Sequence, residues 1–341
     1  MPLFQPQVQH LGLDISDRSL KLVQFKKNLK GHLSLRAYAT RPIPAGVFNE
    51  GEIKQPETFQ NIIQDMLAKP QTGKFTTNNV VACLPETKTF LMTISLPPMP
   101  ETEMSTAVKW EAEHHIPIAI EDTYLDWQLI NPAATADKQT LLLGLAPKNI
   151  VNSYAESLNK AGLIPLALEI EALALIRSVI AKEDLDKKQS ALIMDFGATR
   201  TSLIVLNDQS VQFTVSLPVS GLNITATLAK ELKMTETEAE KAKILCGLDP
   251  KRCQGAVYEI MESAFKDLIK KIKQALRYQS DHFPEQPVGQ IVLCGGGANF
   301  GKLDSLLAKE LKLPIRKSNA WQYLHGDPPF NKEQLNSLAT A

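Results

Sequence analysis

The chain has 341 residues, enough for two ordinary domains with full cores; 44% are hydrophobic and 22% charged, and 37 basic side chains balance 37 acidic ones. A neutral balance argues against nucleic acid as the main partner, because phosphate binding shows as a basic excess. The N-terminus lacks a basic start followed by an apolar stretch, and no run approaches the ~20 apolar residues of a membrane span, so work at a membrane would depend on something else.

Residues 8–40 read as three strands, with clear alternation at Leu33, Leu35 and Ala37. A Pro/Gly-rich loop follows over 41–51; residues 57–69 then place Phe59, Ile62, Ile63, Met66 and Leu67 on one helical face, and 79–84 form a buried strand. From Pro85 the pattern changes. Phe90, Met92 and Ile94 alternate with polar neighbours, prolines break the chain over 97–100, and 101–115 is a helix stopped by Pro117. Residues 124–130 and 140–146 pair across a polar loop, which makes 87–151 a small inserted domain whose core takes Trp110 and Trp127 in preference to partner contact. Residues 152–162 return to helix, with Gly162 at the C′ position, and 166–180, apolar nearly all round, reads as a helix buried between layers.

A charged linker over 182–189 separates the halves. The second half opens with a hairpin around Asp195, a third strand at 210–217 and a helix at 222–233. Thr235 and Glu238 form a capping box that opens the helix holding Glu240 and Lys243. A long amphipathic helix covers 256–280, and a glycine-rich turn precedes a last helix at 303–311. Strands then helices, twice over, predict two related α/β domains with a cleft between them.

Two segments, 11–23 and 192–204, repeat one design: an apolar strand ending in an acid (Asp14, Asp195), a small-residue turn and a second apolar strand. Facing one another, two such hairpins could hold a polyphosphate, with the acids on Mg²⁺ through water. Either alone is also ordinary hairpin chemistry. A third motif, Cys294 followed by Gly295, Gly296 and Gly297, lets backbone approach a ligand and leads into a helix. Gly296 to Lys302 spells the start of a P-loop, but Leu303 stands where the Mg²⁺ hydroxyl belongs, which excludes that reading. Cys83, Cys246, Cys253 and Cys294 form no CxxC pair and read as reduced core residues. His114 and His115 point in different directions on a helix and make no metal site.

Asp14, Asp195, the Glu240/Lys243 helix and the three glycines arrive in the order of the actin-like ATPase superfamily, whose phosphate-1, phosphate-2 and adenosine motifs they resemble. Within it the chain resembles the PilM family of type IV pilus assembly proteins over nearly its whole length, most tellingly at 104–117 and at Leu125-Asp126-Trp127. The resemblance implies two duplicated actin-like (ribonuclease H-type) domains around a nucleotide cleft, with an inserted α+β subdomain. The divisions would be 1–86 and 152–185 for subdomain 1A, 87–151 for 1C, 190–217 and 288–341 for 2A, and 218–287 for 2B. It implies a cytoplasmic ATP- or ADP-binding scaffold, at most a weak ATPase, recruited to the inner membrane by partner proteins. Its partner would be the cytoplasmic N-terminal tail of PilN in a 1A/1C groove, with pilus motor components and self-association as further contacts. An FtsA-like division scaffold, a hydrolysing ATPase and a kinase are the alternatives.

The carried-over site puts Asp14 and Asp195 around Mg²⁺ and Ser16, Ser19, Lys21, Gly197, Thr199 and Thr201 on phosphates. Adenosine would meet Glu240, Lys243, Gly295, Gly296, Gly297 and Asn299. Lys21 reads equally well as a solvated strand lysine, and Glu240 and Lys243 as an exposed helix face. Ser16 stands where the family has Gly, which would cost about 1 kcal/mol if the turn needs left-handed backbone. Residues 339–341 resemble the start of that family's small-residue hinge helix.

Overall fold

The computed structural model describes residues 9–28, 30–130, 138–180, 190–207, 210–326 and 330. The polar loop expected near 131–137, the charged linker and the segment at 339–341 lie outside the described residues.

An antiparallel meander of β1 (Leu11–Ile15), β2 (Ser19–Lys27) and β3 (Leu33–Pro42) opens the first half. The 41–51 stretch expected as loop contains part of a short hairpin, β4 (Phe48–Asn49) with β5 (Glu52–Ile53). Helix α1 (Pro56–Ala68), the short β6 (Thr72–Gly73) and β7 (Asn79–Leu84) follow, and α1 buries Phe59, Ile63 and Met66. Next come β8 (Phe90–Leu96), α2 (Glu101–Glu113), β9 (Thr123–Leu129) and β10 (Gln139–Pro147). They make a separate three-stranded sheet, ordered β8-β10-β9, packed on α2 through Met104, Val108 and Ala112. Those residues repeat every fourth position, so Trp110 falls on the opposite face; it is 65% exposed, contrary to the core reading, whereas Trp127 packs at the core edge.

Helix α3 (Lys148–Lys160) leads to β11 (Ile164–Ile170) and α4 (Glu171–Val179). The single helix expected over 166–180 is therefore a strand followed by a helix. An apolar run fits a buried strand as well as a helix, and parallel pairing with β7 decided the outcome.

The second half contains β12 (Ser190–Phe196), β13 (Thr201–Leu206), β14 (Val211–Leu217), α5 (Gly221–Glu231) and α6 (Glu236–Cys246). It ends with α7 (Ala256–His282), β15 (Val288–Cys294), α8 (Leu303–Leu311) and β16 (Ile315–Lys317). The expected capping box at Thr235 and Glu238 is formed at the start of α6. Cys246 and Cys253 are joined by a disulfide, which corrects the reading of four reduced cysteines; Cys83 and Cys294 are buried thiols outside that bridge. The alternation of apolar residues does not reveal the pairing, because it arises where the chain reverses between α6 and α7.

The two large sheets share one topology. One runs β11-β7-β1-β2-β3-β6 and the other β14-β13-β12-β15-β16, each with a three-stranded antiparallel meander joined to two parallel strands, and β6 adds antiparallel to the edge of the first. Helix α4 lies between them: Ala172, Leu175 and Val179 pack with Ile193, Ile204 and Val292 of the second sheet. The second half also reaches back to the end of α4. Gln322 donates to the Ser178 carbonyl, Arg316 to that of Val179 and Tyr323 to that of Ile180, each at 2.9 Å.

Candidate functional site

The duplicated register fixes the two acids. Asp14 faces Lys21 across β1 and β2, and Asp195 faces Ser202 across β12 and β13, the same place in each hairpin. Both turns open onto one cleft, lined by Ser16, Asp17 and Arg18 on one side and by 197–200 on the other. The pairing of hairpins across a cleft was expected from the sequence.

The first turn closes with the Ser16 amide donating to the Ser19 carbonyl at 3.1 Å. The Ser16 hydroxyl donates to the same carbonyl at 3.0 Å. Ser16 is absent from the left-handed residues, so the strain expected of a non-glycine residue does not arise. In the second turn the Gly197 amide donates to the Arg200 carbonyl at 2.9 Å, and the first amides of α5 bond back to it: Gly221 to the Gly197 carbonyl at 3.1 Å and Leu222 to that of Ala198 at 2.9 Å.

Carboxyls crowd the cleft floor. The Lys21 ammonium sits 2.5 Å from Asp14 Oδ2, and the pair is buried, which excludes a solvated Lys21. Burial pulls the lysine's pKa down, but Asp14 more than offsets this and holds it above the ordinary value. Asp195 lacks such a partner; burial and then repulsion from Asp14 push it up to about 6 against the pull of Lys21. Glu86 is raised to about 7, first by burial, despite a hydrogen bond from Ser202. Glu171, at the start of α4, is pushed well up by burial and then by Asp14, Asp195 and Glu86. These carboxyls share too little positive charge, and the buried Oδ1 of Asp14 has no hydrogen-bond partner among the described residues. A hydrated cation fits that deficit. Among the described residues no group of three His, Cys, Asp or Glu is placed to hold a metal directly.

The remaining expected residues form a layer behind the second turn. Gly295 has φ +76°, and a Cβ there would stand 2.1 Å from Asp195 Oδ1; one on Gly297 would stand 2.4 Å from the Phe196 ring. Gly296 faces open space and begins a 3₁₀ turn that ends at Asn299. Lys243 is buried, not solvated: its ammonium donates to the Gly221 carbonyl at 2.9 Å, and to Thr225 Oγ1 and Glu240 Oε2 at 2.6 Å each. Its charge pins α6 to α5, while Glu240 keeps 43% of its side chain exposed. Thr201 is fully buried and gives its hydroxyl to the Val219 carbonyl at 2.6 Å, so it does not reach the cleft as expected. Ser19 lies at the base of its turn and Thr199 lines the cleft.

Sequence reasoning missed Arg18, Arg200, Glu86 and Glu171, all of which line the cleft. The two arginines stand within the two hairpin turns and are legible as cations. The two glutamates carry no local signal, because only the sheet order brings 86 and 171 beside Asp195.

Two sheets of one topology, acid-ended hairpins opposed across a cleft, and a glycine turn against the second acid define the actin-like ATPase fold. The chain is similar to one from a solved PilM-PilN type IV pilus biogenesis complex, 29% identical with a TM-score of 0.83, covering 98% of this chain and 96% of that one. Over residues 12–341 it matches the family described as type IV pilus assembly protein PilM, and it belongs to that family. MreB5 of Spiroplasma citri, solved with AMPPNP, shares the fold at 14% identity and a TM-score of 0.56, covering 92% of each chain. The cell division protein FtsA of Streptococcus pneumoniae is 27% identical over 178 residues, which are 46% of this chain and 38% of that protein. The chain spans less than half the length of the curated relatives it matches.

Proposed function

We propose that this chain is a cytoplasmic nucleotide-binding scaffold of the type IV pilus assembly machinery that docks the N-terminal tail of PilN. The observation that carries the reading is the whole-length likeness to a chain of a PilM-PilN complex, together with two acid-ended turns that face one cleft. No helix among the described residues is long and apolar enough to cross a membrane, so PilN would supply the attachment to the inner membrane.

In this reading ATP or ADP lies with its phosphates between the turns, where Arg18, Arg200 and the amides of both turns meet negative charge. Mg²⁺ would be held through water by Asp14 and Asp195, and would relieve the crowding of carboxyls on the cleft floor. The 1A/1C/2A/2B division then follows the sheets: the six-stranded sheet is 1A, the three-stranded sheet 1C and the five-stranded sheet 2A, with α5 to α7 as 2B. The PilN tail would sit where 1C meets 1A. There Tyr124, 48% exposed, donates its hydroxyl to Asn152 Oδ1 of α3 at 3.1 Å across the seam.

Titrating a labelled peptide of the PilN cytoplasmic tail into the folded chain, with and without Mg-ATP, tests the proposal. Saturable binding at micromolar affinity or tighter is expected. Absence of binding in both states would remove the pilus-scaffold reading and leave a nucleotide-binding fold.

A further inference from the structure

Cys246 ends α6, the helix that carries Glu240 and Lys243, and is bonded to Cys253 with Cα atoms 5.9 Å apart. Access to the two ends differs: Cys246 is 3% exposed within the second-half core, whereas Cys253 is exposed. The loop they close is docked on the chain just beyond the glycine turn. A Cβ on Gly247 would stand 3.4 Å from the Gly301 amide nitrogen, the Leu248 amide donates to the Gly301 carbonyl at 3.2 Å, and Asp249 pairs with Lys302 at 3.1 Å. Gly301 lies two residues past the 3₁₀ turn, which follows Gly295, the glycine whose added Cβ would meet Asp195 Oδ1.

The turn around Cys253 is held in an unfavourable backbone. Cys253 has φ +49° and Gln254 φ +55°, consecutive left-handed residues ahead of Gly255 at φ +81°. Such a conformation disfavours residues with a Cβ and persists only where neighbours over-determine it. The bridge supplies that constraint, with Arg252 donating to the Leu245 carbonyl at 2.8 Å as the second tie.

We propose that the Cys246–Cys253 bridge is a reversible redox switch that sets how firmly the glycine turn grips nucleotide. It rests on the nucleotide reading above. In a reducing compartment such a bridge is transient and regulatory rather than structural. A low-molecular-weight thiolate attacks the accessible sulfur of Cys253, and Cys246 leaves as a thiolate and takes up a proton. A second thiol of the reductant attacks the mixed disulfide, releasing Cys253, so two electrons pass from the reductant, which ends as a disulfide. Oxidised glutathione reverses the reaction and leaves two glutathione thiols. With the bridge open, the 253–255 turn relaxes, the end of α6 loosens and the contact from Leu248 to Gly301 weakens.

The test compares Mg-ATP affinity by calorimetry after equilibration with oxidised glutathione and with dithiothreitol, the bridge being followed by intact mass and thiol alkylation. The oxidised chain is expected to bind at least threefold more tightly, and Cys253→Ser to keep the weaker affinity under both conditions. Equal affinities with the bridge demonstrably made and broken, or a mass showing that it never forms, would overturn the proposal. Should neither form bind nucleotide, the nucleotide reading fails and hydrogen exchange decides the switch. Reduction should then speed exchange at Leu248 and over 296–301 in the wild-type chain but not in Cys253→Ser, and unchanged exchange would overturn it.

Discussion

Asp14 and Asp195 occupy the same place in duplicated hairpins yet carry different charge environments. Asp14 has a lysine directly opposite, while Asp195 faces the hydroxyl of Ser202. A cation entering the cleft therefore gains more from Asp195, whose charge has no lysine directly opposite to offset it. Replacing Asp195 with Ala is expected to weaken Mg-ATP binding at least tenfold, about 1.4 kcal/mol, with the fold intact by circular dichroism. Lys243 behaves in the opposite way, since its ammonium serves the fold. In Lys243→Met the Glu240 carboxylate and Thr225 lose their shared cation, and urea unfolding should register a loss of roughly 2 kcal/mol. Glu86 gives the pH dependence. Its carboxyl is raised from 4.5 to about 7 in the folded chain, so the folded state keeps a proton that the unfolded chain has released. Its contribution to stability is full below about pH 4.5 and is lost as pH rises through about 7. Urea midpoints of the metal-free chain should fall across that window, and Glu86→Gln should flatten the fall.

At the scale of elements, the glycine turn shows how little room the second hairpin leaves. Gly297 abuts the Phe196 ring, which stacks edge-on with Phe265 and Phe300, so an added methyl meets rings that have no space to retreat. Gly297→Ala is expected to cost at least 2 kcal/mol by thermal or urea unfolding, an overpacking effect independent of nucleotide. The same scale separates what the chain announces from what it conceals. The hairpins, α6 with its capping box, α7 and α8 follow from periodicity and caps, because each is decided by residues close in sequence. The division of 164–179 into β11 and α4 does not, since Ile164, Leu166 and Leu168 suit either structure and only the edge of β7 selects the strand. For the same reason the hairpin acids were legible, whereas Glu86 and Glu171 became part of the site only through the order of strands. Lys243 was legible as a helix residue but not as a buried one, because the carbonyl it binds belongs to α5.

At the scale of the molecule, the halves touch through more than the cleft. Arg200 approaches Glu50 at 3.6 Å, and Thr93 of β8 donates its hydroxyl to the Val211 carbonyl of β14, so the three-stranded sheet also leans on the second half. The inserted sheet and the second half thus meet at the edge of β14. The end of α4 bears on the same question from the other side of the molecule. A helix leaves its final carbonyls without partners of its own, and here three of them are completed by Arg316, Gln322 and Tyr323, more than 130 positions away in the chain. The first half is therefore an unfinished piece when it stands alone. Expressed separately, residues 1–180 should show frayed exchange over the last turn of α4, and adding residues 190–341 should restore protection there. Motion of the cleft would then be a swing about this shared helix end, a single pivot to which both halves contribute.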